Sequence, residues 1–162
     1  MSLNQEISLL VSHIAEKALA QQIRISTAES CTGGGIATAL TEIAGSSEWF
    51  EGGIVSYSNQ VKSDLLGIKP ETLEHYGAVS EEVALAMAIS IQQKTETQLA
   101  VAVTGIAGPS GGSEDKPVGT VWIAWKLQNN TAQARKFVFP GNRSEVRENT
   151  VLEALKGLNF RL

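Results

Sequence analysis

The stretch Ser26-Thr27-Ala28-Glu29-Ser30-Cys31-Thr32-Gly33-Gly34-Gly35 constrains the fold more than any other part of the chain. It follows a β-branched run at Ile23 and Ile25 and precedes the apolar-periodic segment Ile36, Ala37, Leu40, Ile43, so it reads as a strand-to-helix turn. Such a turn gathers hydroxyls and free backbone N–H groups at one spot. The first N–H groups of a helix lack intrahelical partners and lie at the positive end of its dipole, which favours an anion or a developing oxyanion. Ser30, Cys31 and Thr32 are the side chains on hand to attack or orient. Gly33 and Gly34 allow close backbone approach, but the spacing is neither a dinucleotide fingerprint nor a Walker loop. A capped βα loop without chemistry is the competing reading.

The rest of the chain supplies the frame. Ile7, Leu10, Val11, Ile14 and Ala18 recur at helical spacing over residues 3–20, and Ser2 with Gln5 fits a capping box. A strand from about Ile23 to Ala28 leads into the turn, and a helix follows to about Ala44. Gly52–Tyr57 reads as a short strand, with a helical turn from Ser58 carrying Leu65 and Leu66. Pro70–Gly77 is a connector with a helical turn at Glu71–His75, and Ser80 starts a helix to about Thr95. Leu99–Val103 is a continuous apolar run, predicting a strand buried on both faces, and it opens into the glycine-rich loop Thr104–Gly112. Val118–Leu127 and Ala132–Phe139 are two strands joined near Asn129-Asn130, which tolerate a type I′ turn. Asn142 with Glu145 caps a last helix bearing Val151, Leu155 and Leu158.

The predicted order is α-β-α-β-α-β-β-β-α. It implies an α/β fold, a three-layer α/β/α sandwich whose mixed sheet is mostly parallel and includes an antiparallel hairpin. Ligands on such sheets collect beyond the carboxyl ends of the parallel strands. The Ser30 turn, the segment Tyr57–Lys62 and the loop Thr104–Gly112 all fall there.

A length of 162 residues, without repeat or linker, predicts one domain over 1–162. The net charge of −4 excludes a broad nucleic-acid surface, so any anion site is local. No window approaches a membrane span, and one cysteine with no signal-peptide pattern points to the cytoplasm. His13, His75 and Cys31 show no metal-ligand spacing, so no metal and no cofactor are expected.

Neither histidine lies at a predicted strand end, which leaves Lys62 as the candidate base; an ammonium must lose its proton to serve, which requires desolvation or nearby positive charge. A solvated lysine in a first helical turn is the plainer reading. Cys31 competes with Ser30 as nucleophile, because a helix N-terminus would lower its pKa, unless it fills core space. Glu29 either orients a base or ligand hydroxyl, or caps neighbouring N–H groups. Arg143 and Arg147, four residues apart, either clamp a phosphate or pair with Glu145 and Glu148.

Ala28-Glu29-Ser30-Cys31-Thr32-Gly33-Gly34, Tyr57-Ser58-Asn59 with Lys62, Thr104-Gly105-Ile106-Ala107-Gly108-Pro109, Gly119-Thr120-Val121, and Gly141-Asn142-Arg143 with Val146-Arg147 together resemble the CinA C-terminal domain family in its stand-alone form. The resemblance covers nearly the whole chain. It implies hydrolysis of the carboxamide of nicotinamide mononucleotide to nicotinate mononucleotide and ammonia, in pyridine-nucleotide recycling, by serine-based and metal-independent chemistry. Ser30 would attack, neutral Lys62 would take its proton, and Tyr57 would relay or position it. Backbone N–H groups around Cys31, Thr32, Gly33 and Gly34, or Gly105, Ala107 and Gly108, would hold the oxyanion. Asn59 and Thr104 would orient the ring or amide. Apart from the resemblance, charge demand makes Arg143 and Arg147 the candidates for the 5′-phosphate, because an acidic chain must supply local cations to hold it; the resemblance implies a homo-oligomer, from whose neighbouring subunit Arg147 could come. The alternative is a nucleotide-binding or assembly module of the same fold that turns nothing over.

Overall fold

The computed structural model describes residues Met1–Leu162. Helix α1 (Leu3–Gln21) begins at the predicted capping box: Gln5 N–H donates to Ser2 Oγ at 3.2 Å and Ser2 N–H to Gln5 Oε1 at 2.8 Å. There follow β1 (Ile25–Glu29), α2 (Gly35–Thr41), a 3-10 turn at Ser46–Glu48, β2 (Phe50–Val55), α3 (Asn59–Leu66), α4 (Pro70–Tyr76), α5 (Glu81–Thr95), β3 (Leu99–Gly105), β4 (Thr120–Leu127), β5 (Gln133–Val138) and α6 (Arg143–Arg161).

Helix α2 stops short of the predicted Ala44. The Thr41 hydroxyl donates to the carbonyls of Ala37 and Thr38, and Gly45 then turns left-handed at φ 85°. Three helices, where one was predicted in the element order, connect β2 to β3. Gly67, at φ 67°, ends α3 by donating its N–H to Lys62 and Ser63 carbonyls, Pro70 opens α4, and Ser80 caps α5 through Val83 N–H.

The sheet order is β2-β1-β3-β4-β5. β1 runs parallel to both β2 and β3, whereas β4 is antiparallel to both β3 and β5, so β4 alone is reversed. The β4–β5 pairing ends at Trp125 and Gln133, which leaves too long a connection for the two-residue type I′ turn predicted. Only Asn129 there is left-handed, and Asn130 N–H closes the turn on Leu127 O at 3.0 Å.

Helices α1, α2 and α6 cover one face, with Ile14, Ile36, Leu40 and Leu155 fully buried against Val101, Val103 and Ile123. Leu66, Leu73, Met87 and Ile91 from α3, α4 and α5 cover the other, over Ala28, Ala100 and Ala102. Each large apolar side chain so buried contributes about 1.5–3 kcal/mol. Helix α6 lies directly on Trp125: a Cβ on Gly157 would sit 2.1 Å from the indole, whose Nε1–H donates to Ala154 O at 3.1 Å. Because β1 is central to β2 and β3, the chain leaves β1 by α2 on one face and reaches β3 through α3–α5 on the other. The carboxyl end of β1 is therefore the crevice where such sheets accept ligands.

Candidate active site

Ser30 stands at that crevice. Its N–H donates to Val103 O at 3.1 Å, and Ser56 N–H donates to Glu29 O at 2.8 Å, so both parallel ladders extend to the first residues beyond the strands. The nucleophile candidate is thus fixed by the sheet. It is 7% exposed, at the rim rather than inside the core.

Ser58 caps α3 by accepting from Val61 N–H at 3.1 Å, and this start turns Lys62 inward. Lys62 is 1% exposed, with Nζ 3.0 Å from Ser30 Oγ, 2.9 Å from Ser56 O and 3.0 Å from Tyr57 O. No carboxylate pairs with it. Burial holds its pKa below the ordinary 10.5, outweighing an opposing influence from Cys31. A neutral amine has two N–H donors and one lone pair. Two carbonyls, which can only accept, and one hydroxyl, which can donate, match that inventory.

Cys31 takes the core-filling alternative. It is buried among the core side chains, and desolvation pushes its thiol up to about 12, outweighing the lowering from its own backbone hydrogen bond, Arg147 and Lys62. Glu29 takes the capping alternative. Its carboxylate accepts from Thr32 Oγ1 at 2.6 Å, Ile36 N at 2.8 Å and Ala37 N at 3.0 Å. Two of the free N–H groups predicted at the start of α2 are thereby occupied. Gly33 and Gly34 carry the tight turn between, at φ 60° and 103°.

Arg143 and Arg147, on the first turns of α6, reach the two glycine-rich loops. Arg143 donates to Gly108 O at 2.8 Å and to Tyr57 Oη at 3.1 Å. Arg147 donates through Nε to Cys31 O at 3.1 Å and through Nη2 to Thr32 O at 3.2 Å. Neither pairs with Glu145 or Glu148. Tyr57 is split: its carbonyl faces Lys62 while its exposed phenol meets Arg143 at the rim. Thr104 donates its hydroxyl to Ala78 O at 2.8 Å, and Gly105 packs against Val121. Ala107 is buried, and Gly108 is left-handed at φ 81°. Asn59 lines a depression with Gln60, Ser63 and Pro70.

The carbonyls of Ser56 and Tyr57 were not singled out from sequence. Main-chain acceptors leave no residue-type signal, and only their place at a strand end next to Tyr57-Ser58-Asn59 hinted at them. No three His, Cys, Asp or Glu side chains gather closely enough to hold a metal, and no helix is long and apolar enough to cross a membrane.

The family model described as the CinA C-terminal domain matches residues 8–162. A CinA-like protein of Leptospira biflexa is 52% identical over 143 residues, covering 88% of this chain but 34% of its own length, so this chain spans about a third of it. The nicotinamide-nucleotide amidohydrolase PncC of Escherichia coli (strain K12) is 44% identical over 155 residues, covering 96% of this chain and 94% of that protein. The crystal structure of competence/damage inducible protein CihA from Agrobacterium tumefaciens superposes with a TM-score of 0.92 at 46% identity, covering 94% and 93% of the two chains.

Proposed function

The chain belongs to the CinA C-terminal domain family, and from that premise we propose that it hydrolyses the carboxamide of nicotinamide mononucleotide, giving nicotinate mononucleotide and ammonia. The similarity to PncC along nearly the whole of both chains supports the substrate. One observation carries the mechanism: a desolvated Lys62 amine, without a counter-ion, 3.0 Å from Ser30 Oγ.

In this reading the Ser30 hydroxyl donates to the lone pair of neutral Lys62, and Ser56 and Tyr57 carbonyls orient the amine by accepting its two N–H groups. Ser30 Oγ attacks the carboxamide carbon as its proton passes to Lys62. The oxyanion is met by backbone N–H groups of the Ser30 turn, each worth about 3–4 kcal/mol in comparable sites. The intermediate collapses with proton return from Lys62 to the leaving nitrogen, which departs as ammonia. Water, deprotonated by Lys62, then cleaves the ester and restores Ser30. Arg143, at the rim beside Tyr57, meets the 5′-phosphate, supplying the local cation that a chain of net charge −4 needs there. The single cysteine and the family resemblance support placing this enzyme in the cytoplasm as a homo-oligomer.

Incubation of the purified chain with nicotinamide mononucleotide, assayed for ammonia and nicotinate mononucleotide, tests the proposal. Release of both in equal amounts is expected. Absence of both, with the protein folded, would refute it.

A further inference from the structure

Glu29 and Arg147 have hydrogen-bonding capacity that the attack and proton transfer do not use. Glu29 is 1% exposed and no cation pairs with it; its carboxylate is filled from the α2 side by Thr32 Oγ1 and the N–H groups of Ile36 and Ala37. Arg147 grips the same turn from α6, at the carbonyls of Cys31 and Thr32. Between them the N–H groups of Thr32 and Gly34 donate to no acceptor in the chain, and that of Cys31 reaches only its own sulfur.

A planar trans peptide sends its C=O and the following N–H in opposite directions. Gly33 N–H donates to Ser30 O at 3.0 Å and so fixes the Ser30–Cys31 peptide, while Arg147 fixes the Cys31–Thr32 peptide. The N–H groups one and two residues after Ser30 are thereby held in place with no main-chain acceptor. We propose that Arg147 and Glu29 are positioning residues that hold the Ser30 turn as a preformed oxyanion cradle. This gives Arg147 a different task from the phosphate contact expected of it. The kinetic side of the inference rests on the amidase reading.

Arg147→Ala, Arg147→Lys and Glu29→Gln are to be assayed on nicotinamide mononucleotide and on the riboside that lacks its phosphate. For Arg147→Ala a fall in kcat of about 10²–10³-fold is expected, since oxyanion donors act only in the transition state, with KM changed less than about 3-fold and the same loss on both substrates. Arg147→Lys should restore little, because an ammonium lacks the planar fork that spans two carbonyls. Glu29→Gln should lower kcat in the same way, since an amide offers one oxygen and turns an NH2 toward an N–H donor. A raised KM for the nucleotide alone, with kcat kept, would make Arg147 a phosphate ligand and overturn the proposal.

A second measurement does not depend on turnover. In the 15N-labelled chain the order parameters of the Cys31 and Thr32 amides should fall in Arg147→Ala from about 0.85 to below about 0.6, while Val101 in β3 is unchanged. Unaltered Cys31 and Thr32 amides would overturn the inference. A wild-type chain that releases no ammonia would instead overturn the amidase reading, and the amide measurement would still decide the role of Arg147.

Discussion

At the residue scale the proposed chemistry turns on the protonation of Lys62. Burial lowers its pKa below 10.5, so between the folded value and 10.5 the unfolded chain binds the extra proton. Stability therefore rises with pH across that window, and the cost of the buried amine is fully present below it. The proposed mechanism needs the neutral amine, so kcat should rise with pH to a plateau with an inflection below 10.5, and a pH–rate profile checks this. Lys62→Met keeps the stem and removes the base. A kcat reduced by about 10²–10⁴-fold with nucleotide affinity retained is expected, and the denaturation midpoint should lose the pH dependence that Lys62 contributes. Cys31, its thiol pushed up to about 12, stays protonated at neutral pH, so thiol reagents should leave it unmodified until the fold opens. Cys31→Ala should preserve ammonia release, whereas Ser30→Ala should abolish it; the reverse pair of results would move the nucleophile to sulfur. The sequence placed Ser30, Cys31 and Lys62 at strand ends, yet it could not separate them. That distinction comes from direction: Lys62 Nζ meets Ser30 Oγ, while Cys31 packs into the core.

At the scale of elements, α6 links stability to the site. Its capping box, Asn142 with Glu145, orders the turns from which Arg143 and Arg147 reach both loops. Asn142→Ala should cost about 1 kcal/mol, read as a shift in denaturant midpoint, and should also lower turnover by loosening those arginines. Farther along α6, Gly157 admits the Trp125 ring at a distance where no Cβ fits. Gly157→Ala should destabilise by about 1–3 kcal/mol despite the better helix propensity of alanine, measured by thermal or urea unfolding, because the rigid ring cannot give way. The capping boxes and the doubly buried run Leu99–Val103 were legible because their signals are local. The hairpin was not: Asn129-Asn130 permits a type I′ turn, but the register that ends at Trp125 and Gln133 is set by the packing of whole strands.

For the whole molecule, the decisive feature is the strand order β2-β1-β3, which opens a crevice at the end of β1. Alternating strands and helices announced that kind of sheet, and three chain segments were placed at its carboxyl edge from their order alone. What order could not supply was direction: Asn59 lines a depression with residues of α4, and the Tyr57 phenol turns to Arg143 while its carbonyl turns to Lys62. The central claim is that Ser30, relieved of its proton by Lys62, carries the acyl group during amide hydrolysis. Acid quenching within the first turnovers, followed by mass analysis of the peptide between Arg24 and Lys62, tests it directly. The expected result is the mass of an ester-linked nicotinate mononucleotide localised to Ser30 in the wild type and absent from Lys62→Met. An adduct on Cys31, or steady ammonia release from Ser30→Ala, would contradict it.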